Sequence, residues 1–496
     1  MKQNEEVPSG IQIGEDLAES AEFYQTKNGE SYISIRENIN NQNKKMVCPI
    51  DSNTFVQYVR SFAYDNYQKV LTSAECTIIQ QHFKMLAWKK GKSITLYHRT
   101  IQKSNKVYYD LDGEKTLIIT KDGIRKKMLK NPMFIQGITF SSQIMPDLQT
   151  KATEIPRYID KHFHLKTETD TLLLTMFLVT CFWGQAIAHP ILQVYGEKGS
   201  AKTTCLRRIQ DLIDPHSTDI YAMPKKEDDI ALCLSSQFMT CFDNISYLPL
   251  NVSDLLCRNC TGSSQIKRKL FSDTGQTLIN LKSVVCLNGT GQNIVKSDLA
   301  DRTIFIELDR IKQNEIRPDK QLQEEWEIEK PCFLGALFNA VMGVLADTET
   351  KPGKSPVRLA DFYDVAIKAA VQAGYSQDNA ITALQENLER MTEAVSSENL
   401  VVMAILSFFE AKQEYTGQIT NFYMEVKEHA AVELGIAVQH HFPKSANYFT
   451  RYMNENKSNL EQLGIYYKVI RGKQRMIHVE NKNYTIPSIP SKRKKA

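Results

Sequence analysis

The run Val194-Tyr-Gly-Glu-Lys-Gly-Ser-Ala-Lys-Thr-Thr204 constrains this chain more than any other stretch. The apolar segment Ile191–Val194 before it has the composition of a buried strand, and helix-forming residues follow it. A strand, a small-residue loop and a helix are therefore required in that order. The loop follows G-x-x-x-x-G-K-[ST], a pattern whose backbone N–H groups cradle phosphates. Gly196 starts it, and Glu197, Lys198, Gly199, Ser200 and Ala201 form its body. Lys202 supplies a point charge for the outer phosphates, Thr203 an oxygen for Mg²⁺, and Thr204 continues into the helix. The expected helix, Thr203 to Leu212, presents its unpaired N–H groups and positive dipole end to the anion. Ala201 stands where the second glycine belongs. A single methyl leaves a negative φ accessible there, and that is the expected conformation. The expected ligands are ATP and Mg²⁺.

Further motifs follow in order. Phe238-Met-Thr-Cys-Phe-Asp243 is an apolar run ending in a carboxylate suited to hold Mg²⁺ beside Thr203, and Asn244 follows where a second acid often orients the attacking water. Val252 to Cys260 reads as a helix. Gln265 to Asn280 reads as two strands around the Ser272-Asp-Thr-Gly275 turn, with Lys267, Arg268 and Lys269 on the first. Another buried strand ends at Asn288, whose amide suits a γ-phosphate or a lytic water. Asp298-Leu-Ala-Asp-Arg302 precedes a last strand, Thr303 to Leu308.

Loop, acidic strand, hairpin, Asn288 and Arg302 in this order resemble a superfamily 3 helicase core of the AAA+ class. The segment is especially similar to the primase-helicase and MCM-like replicative ATPases of phages and mobile genetic elements. The resemblance implies catalytic roles for Lys202, Asp243, Asn288 and Arg302, with Arg302 an arginine finger reaching a neighbouring subunit. It also implies a homo-hexameric ring with a DNA-gripping hairpin flanked by Lys267, Arg268 and Lys269. The hairpin tip lacks the usual lysine or histidine. A primase or other replication proteins are the expected partners, and replication of a phage or mobile element the expected setting.

The flanks complete the expected architecture. A chain of 496 residues is too long for one ordinary domain. Residues 1–150 alternate short helices and strands, an α+β accessory domain. Asp110-Leu-Asp112 could be a pair of metal-binding carboxylates on one strand face, but no third acid or basic partner accompanies it, and Asp112-Gly113 reads more simply as a hairpin turn. Residues 151–310 form the P-loop ATPase core, and 311–395 a helical lid with Arg358 as a candidate phosphate sensor. Residues 396–485 read as a winged helix, and 486–496 as a basic disordered tail. In the winged helix, Lys444 and Arg451 belong to the groove-reading helix, while Arg471, Lys473 and Arg475 belong to the wing. The fold class expected is thus α/β.

Net charge is only +4, but His441–Ala496 holds twelve Lys or Arg against three Asp or Glu. That local excess makes DNA the expected partner of this region. The ten cysteines include one close pair, Cys257 and Cys260, and read as buried thiols rather than a zinc site. No apolar core of a secretory signal is present near Met1, and Thr171–Ala188 is the one apolar segment approaching membrane length. It reads as a core helix, so a cytoplasmic protein with no membrane contact is expected. An ATP-dependent DNA helicase or translocase is the function these features favour. The alternative is a DNA-binding ATPase switch, for origin recognition or regulation, that does not unwind.

Overall fold

The computed structural model describes residues 8–39, 42–137, 139–245, 248–268, 276–289, 297–398, 400–410, 412–433, 442–470 and 475–483. The chain divides into two compact units: Met1–Ile245 with Arg258–Thr290 and Ile304–Ala383, and Ser246–Cys257 with Gly291–Thr303 and Leu384–Ala496.

The first unit begins with α1 (Gly10–Ser20), β1 (Glu22–Thr26), β2 (Ser31–Ile39), β3 (Gln42–Pro49), α2 (Asn53–Tyr67), α3 (Ser73–Lys90) and β4 (Lys92–Ile94). The strands form one sheet in the order β3-β2-β1-β4. Ile13, Phe55, Val59, Ile79 and Phe83 from the three helices close over Phe23, Ile33 and Ile35, all buried. Burying side chains of this size contributes about 1.5–3 kcal/mol each.

A four-stranded antiparallel sheet follows: β5 (Thr100–Lys103), β6 (Lys106–Asp110), β7 (Lys115–Thr120) and β8 (Gly123–Met128), in that order. The β6–β7 turn is built by its two aspartates. Asp110 Oδ1 accepts the Gly113 N–H at 2.7 Å, and Asp112 Oδ1 accepts those of Glu114 and Lys115 at 3.1 and 2.7 Å. Both carboxylates thus serve the turn, as aspartates in such turns do.

Next come α4 (Ile155–Phe163), α5 (Glu168–Cys181), β9 (Ile191–Tyr195), α6 (Lys202–Ile213), β10 (Tyr221–Ala222), α7 (Glu227–Ser236) and β11 (Met239–Asp243). They are followed by α8 (Leu250–Thr261), β12 (Ser263–Arg268), β13 (Gln276–Leu281), β14 (Val284–Gly289), α9 (Ser297–Ala300) and β15 (Thr303–Glu307). The central sheet runs β10-β11-β14-β9-β15, with β10–β11, β11–β14 and β14–β9 parallel. Its strands are near-continuous apolar runs because a parallel sheet is covered on both faces. Strands β12 and β13 form a separate antiparallel ribbon, Ser263 opposite Leu281 and Arg268 opposite Gln276. Three long helices follow: α10 (Asp319–Ala346), α11 (Ala360–Gln372) and α12 (Gln377–Glu398), the last of which runs across the division at Ala383.

The β5–β8 layer is tied to the C-terminal end of α6. Tyr109 Oη donates to the Ile213 carbonyl at 2.9 Å, and Gln143 Nε2 to that of Leu212 at 3.0 Å. Arg99, 2% exposed, donates from Nε to Asp214 Oδ1 at 2.8 Å. The last carbonyls of a helix have no partner within it, so these side chains fix where α6 ends.

One expectation is corrected. Thr171–Ala188 does not form a span-length helix, because α5 stops at Cys181. Among the described residues, α10 is the helix that passes the length and hydropathy test for a membrane span, yet 56% of its apolar window is buried inside the protein. It packs Trp326, Phe333, Leu337 and Phe338 into the core.

In the second unit, α13 (Leu400–Glu410), β16 (Glu414–Gln418), α14 (Ile419–Glu433), α15 (Ala446–Glu455), α16 (Lys457–Gln462), β17 (Ile465–Ile470) and β18 (Met476–Asn481) follow one another. The antiparallel sheet runs β16-β18-β17. The helices and sheet share one core, including Phe409, Phe422, Phe449, Ile465 and Val479.

Candidate functional site

Strand β9 carries the chain to the C-terminal edge of the central sheet, where ligands of open parallel sheets bind. Gly196 turns it sharply: a Cβ there would lie 2.4 Å from Ser200 Oγ and 2.9 Å from the Leu308 carbonyl. Gly199 sits at φ +88°. The loop closes on Ala201 at φ +59°, ψ +32°, and helix α6 starts at Lys202. The negative φ expected for Ala201 is therefore corrected to the left-handed region. The second glycine of the motif is a conformational requirement, and this chain meets it with alanine at a cost of about 1–2 kcal/mol.

Lys202 Nζ donates to the carbonyls of Gly196 and Glu197 at 2.7 and 2.8 Å, lying back over its own loop. Burial pulls its ammonium below the usual lysine range, and the Asp243 carboxylate opposes that pull. Ser200 is fully buried, and its Oγ has no hydrogen-bond partner among the described residues. A buried orphan hydroxyl costs about 1–3 kcal/mol, and a phosphate oxygen in the loop would relieve it. Glu197, Lys198 and Gly199 are exposed at the loop crest, while Thr204 is half-buried at the start of α6.

The ends of β11 and β14 and the first turn of α6 meet beside this loop. Thr203 Oγ1 donates to Asp243 Oδ1 at 3.0 Å. Asn288 Nδ2 donates to the same oxygen at 2.6 Å, and its Oδ1 accepts the Asn244 N–H at 2.6 Å. Strands β11 and β14 are parallel neighbours, Phe242 opposite Leu287, so Asp243 and Asn288 come side by side at their ends. Asn244 lies at φ +56°. That region accepts asparagine more readily than glutamate, a local reason for the residue found there. The chemistry fits a magnesium nucleotide: a hydroxyl and a carboxylate for the ion, backbone and lysine donors for the phosphates, and an amide at the γ end.

Arg302 lies between α9 and β15, where Nη1 donates to the Asp298 carbonyl at 2.5 Å and pairs with its Oδ1 at 2.6 Å. Arg358 is exposed just ahead of α11. Sequence reasoning passed over Arg310, whose Nη1 lies 3.7 Å from Glu197 Oε2 in the loop. The only signal was its place three residues after the end of β15, the last strand of the central sheet.

Of the expected DNA-contacting residues, Lys267 and Arg268 end β12, opposite Thr277 and Gln276. Lys269, the Ser272–Gly275 turn, Arg471 and Lys473 lie outside the described residues. In the second unit, Ser445 caps α15 by accepting the Tyr448 N–H, and Lys444 is exposed just before it. Asn447, Thr450, Arg451 and Asn454 of that helix line one open groove of about 560 Å³ with Arg475 from the start of β18. Asn454 Oδ1 accepts the Tyr467 hydroxyl at 2.7 Å.

All ten cysteines are free thiols, eight buried and Cys233 and Cys332 half-buried. Among the described residues no cluster of three or more His, Cys, Asp or Glu is placed to hold a metal by itself.

Residues 159–392 match the family model described as actinomycete integrative conjugative element replication protein, and residues 401–491 match that described as the AICE RepA C-terminal domain. The two matches adjoin and come from one kind of protein. By them, the chain belongs with the replication proteins of mobile elements. The first match contains the phosphate loop, Asp243, Asn288 and Arg302, and the second contains α15 and the β16-β18-β17 sheet. Among solved structures, the apo structure of the NrS-1 C terminal region (305-718) is 12% identical, with 95% of this chain and 99% of that one covered and a TM-score of 0.40. The A form apo structure of NrS-1 C terminal region-CTR is also 12% identical over the same shares, with a TM-score of 0.39. No curated protein matches the chain.

Proposed function

We propose that this replication protein is an ATP-driven DNA helicase or translocase, built from an AAA+ P-loop core of the superfamily 3 kind and a C-terminal winged helix. ATP lies with its phosphates on Gly196 to Thr204. Lys202 leaves the loop carbonyls for the outer phosphates, and Ser200 supplies a further donor. Thr203 and Asp243 would hold Mg²⁺, which would supply positive charge against the phosphates. Asn288 reads the γ-phosphate. Arg302 acts on the nucleotide of the neighbouring subunit in a homo-hexamer. Lys267, Arg268 and Lys269 carry the DNA-gripping ribbon, and Lys444, Arg451, Arg471, Lys473 and Arg475 hold DNA at the winged helix. The protein works in the cytoplasm, with a primase or other replication proteins as its partners.

The observation that carries this reading is the convergence of Thr203 and Asn288 on one oxygen of Asp243, beside a phosphate-type loop with an orphaned Ser200 hydroxyl. One observation favours a second reading, an ATPase switch that binds DNA without unwinding. Asn244 occupies the place of a water-orienting acid.

Displacement of a labelled strand from a forked duplex separates the two. ATP-dependent displacement, lost in Arg302→Ala, supports the motor. Intact DNA binding and hydrolysis with no displacement at any protein concentration would leave the switch.

A further inference from the structure

The β5–β8 sheet turns one face to the core. Val107, Tyr109, Leu117 and Ile119 are buried on it. The alternate residues face outward, and the register sets them in a row: Tyr108 opposite Ile118, and Ile118 opposite Arg125. Lys127 lies opposite Thr116 two residues further along. At the β5–β6 turn, Lys103 opposes Lys106. Lys106, Tyr108, Ile118, Lys121, Arg125 and Lys127 line a groove of about 480 Å³ on this face. Asp122 is the one carboxylate among its described lining residues.

Lys106, Lys121, Arg125 and Lys127 are all exposed. Among the described residues, none has a carboxylate within ion-pair distance, although exposed lysines elsewhere do, such as Lys115 with Asp112 at 3.2 Å. The simplest use of Arg125-Lys-Lys127 is to blunt an exposed sheet edge against pairing with another chain. That accounts for β8 but not for Lys106 and Lys121, which approach the same groove from two hairpin turns. Four uncompensated cations around a groove floored by Tyr108 and Ile118 complement a sugar-phosphate strand with unstacked bases. The cations on β6 and β8 lie two inter-strand spacings apart, about 10 Å. That separation suits one strand better than a duplex.

We propose that this groove is a second DNA-binding surface, which holds the phosphates of single-stranded DNA independently of the ATPase ribbon and the C-terminal helix α15. It goes beyond the functional reading above, in which this layer has no ligand.

The test uses the full chain, a fluorescein-labelled oligothymidine strand and a duplex of equal length, with binding followed by anisotropy from 50 to 300 mM salt. A Lys106→Ala/Arg125→Ala/Lys127→Ala variant is expected to bind the single strand at least tenfold more weakly at the lowest salt. Its log–log salt slope should be shallower by about two, since each lost single-strand phosphate contact removes ~0.7. Arg125→Lys/Lys127→Arg should retain binding, which separates charge from local structure. Unchanged single-strand affinity and slope in the triple variant would overturn the proposal, as would a larger loss on duplex than on single strand. An Arg451→Ala/Arg475→Ala variant reports on the α15 contact alone, so failure of one surface is distinguishable from failure of the other.

Discussion

Asn288 donates its side-chain amide to Asp243 at 2.6 Å, and the oxygen it contacts is the one that accepts the Thr203 hydroxyl. The ends of β11 and β14 are therefore mechanically joined through these two side chains. In the proposed ATP site, a change in the nucleotide at one of them would be felt at the other. Because Asn288 also accepts the Asn244 N–H, it further braces the turn after β11.

Asn288→Ala removes that bridge without adding charge. Hydrolysis is expected to fall 10²–10³-fold, the usual cost of losing a preorganised donor near transition-state charge. Nucleotide affinity should change by less than tenfold, because the loop and Lys202 remain. Steady-state hydrolysis and equilibrium binding of a fluorescent nucleotide check both numbers, and equal losses in the two would contradict the bridging role.

Ala201 holds the loop in the left-handed region at φ +59°. Glycine removes a penalty of about 1–2 kcal/mol but returns about 0.4–1 kcal/mol of unfolded-chain entropy. Ala201→Gly should thus stabilise the protein slightly, with hydrolysis retained. Ala201→Val should be destabilising, because a branched side chain tolerates positive φ poorly. Denaturant midpoints measured side by side settle the sign.

Asp110 is 2% exposed, and burial lifts its carboxyl to about 6, with Arg99 opposing the shift. A folded-state value above the unfolded one means that the protonated form is favoured by folding. Stability from this group is full below about pH 4 and lost as pH rises through about 6. The lift corresponds to about 3 kcal/mol as an order of magnitude. Asp110→Asn keeps an oxygen for the Gly113 N–H, so it should be more stable than the natural protein at pH 8 and show a flatter stability profile between pH 4 and 6. Urea melts across that range test it, and a variant less stable at pH 8 would refute the assignment.

Arg451 and Arg475 line the α15 groove. Arg451→Ala is expected to weaken DNA binding 5–100-fold if it contacts a base edge, with the loss depending on sequence. Arg475→Ala should weaken binding about equally for every sequence and make the salt dependence shallower by about one. Competition binding with a panel of duplexes distinguishes the two patterns.

The strand–loop–helix, Asp243 and Asn288 were legible because each rests on local pattern: an apolar run, a fixed spacing, a polar residue at its end. The Asp110–Asp112 turn was legible for the same reason. Strand β16 was not. Glu-Tyr-Thr-Gly-Gln has little apolar alternation, and its strand conformation comes from pairing with β18 some sixty residues away, Glu414 opposite Glu480. The N-terminal strands β1–β3 were missed too, because polar stretches such as Gln42-Asn-Lys-Lys45 hide their periodicity. The conformation of Ala201 was misread because its φ follows from how the loop turns into α6, which residue type does not reveal. Arg310 went unnoticed because its nearness to Glu197 arises from where β15 ends, not from any motif.

DNA-stimulated ATP hydrolysis, with Lys202→Ala as comparator, tests whether Gly196 to Thr204 is a catalytic ATP site. Magnesium-dependent hydrolysis by the natural protein is expected, with a loss of roughly 10²-fold or more in the variant and the folded state unchanged by circular dichroism. Hydrolysis that persists in Lys202→Ala, or is absent from the natural protein with DNA and Mg²⁺ present, would contradict it.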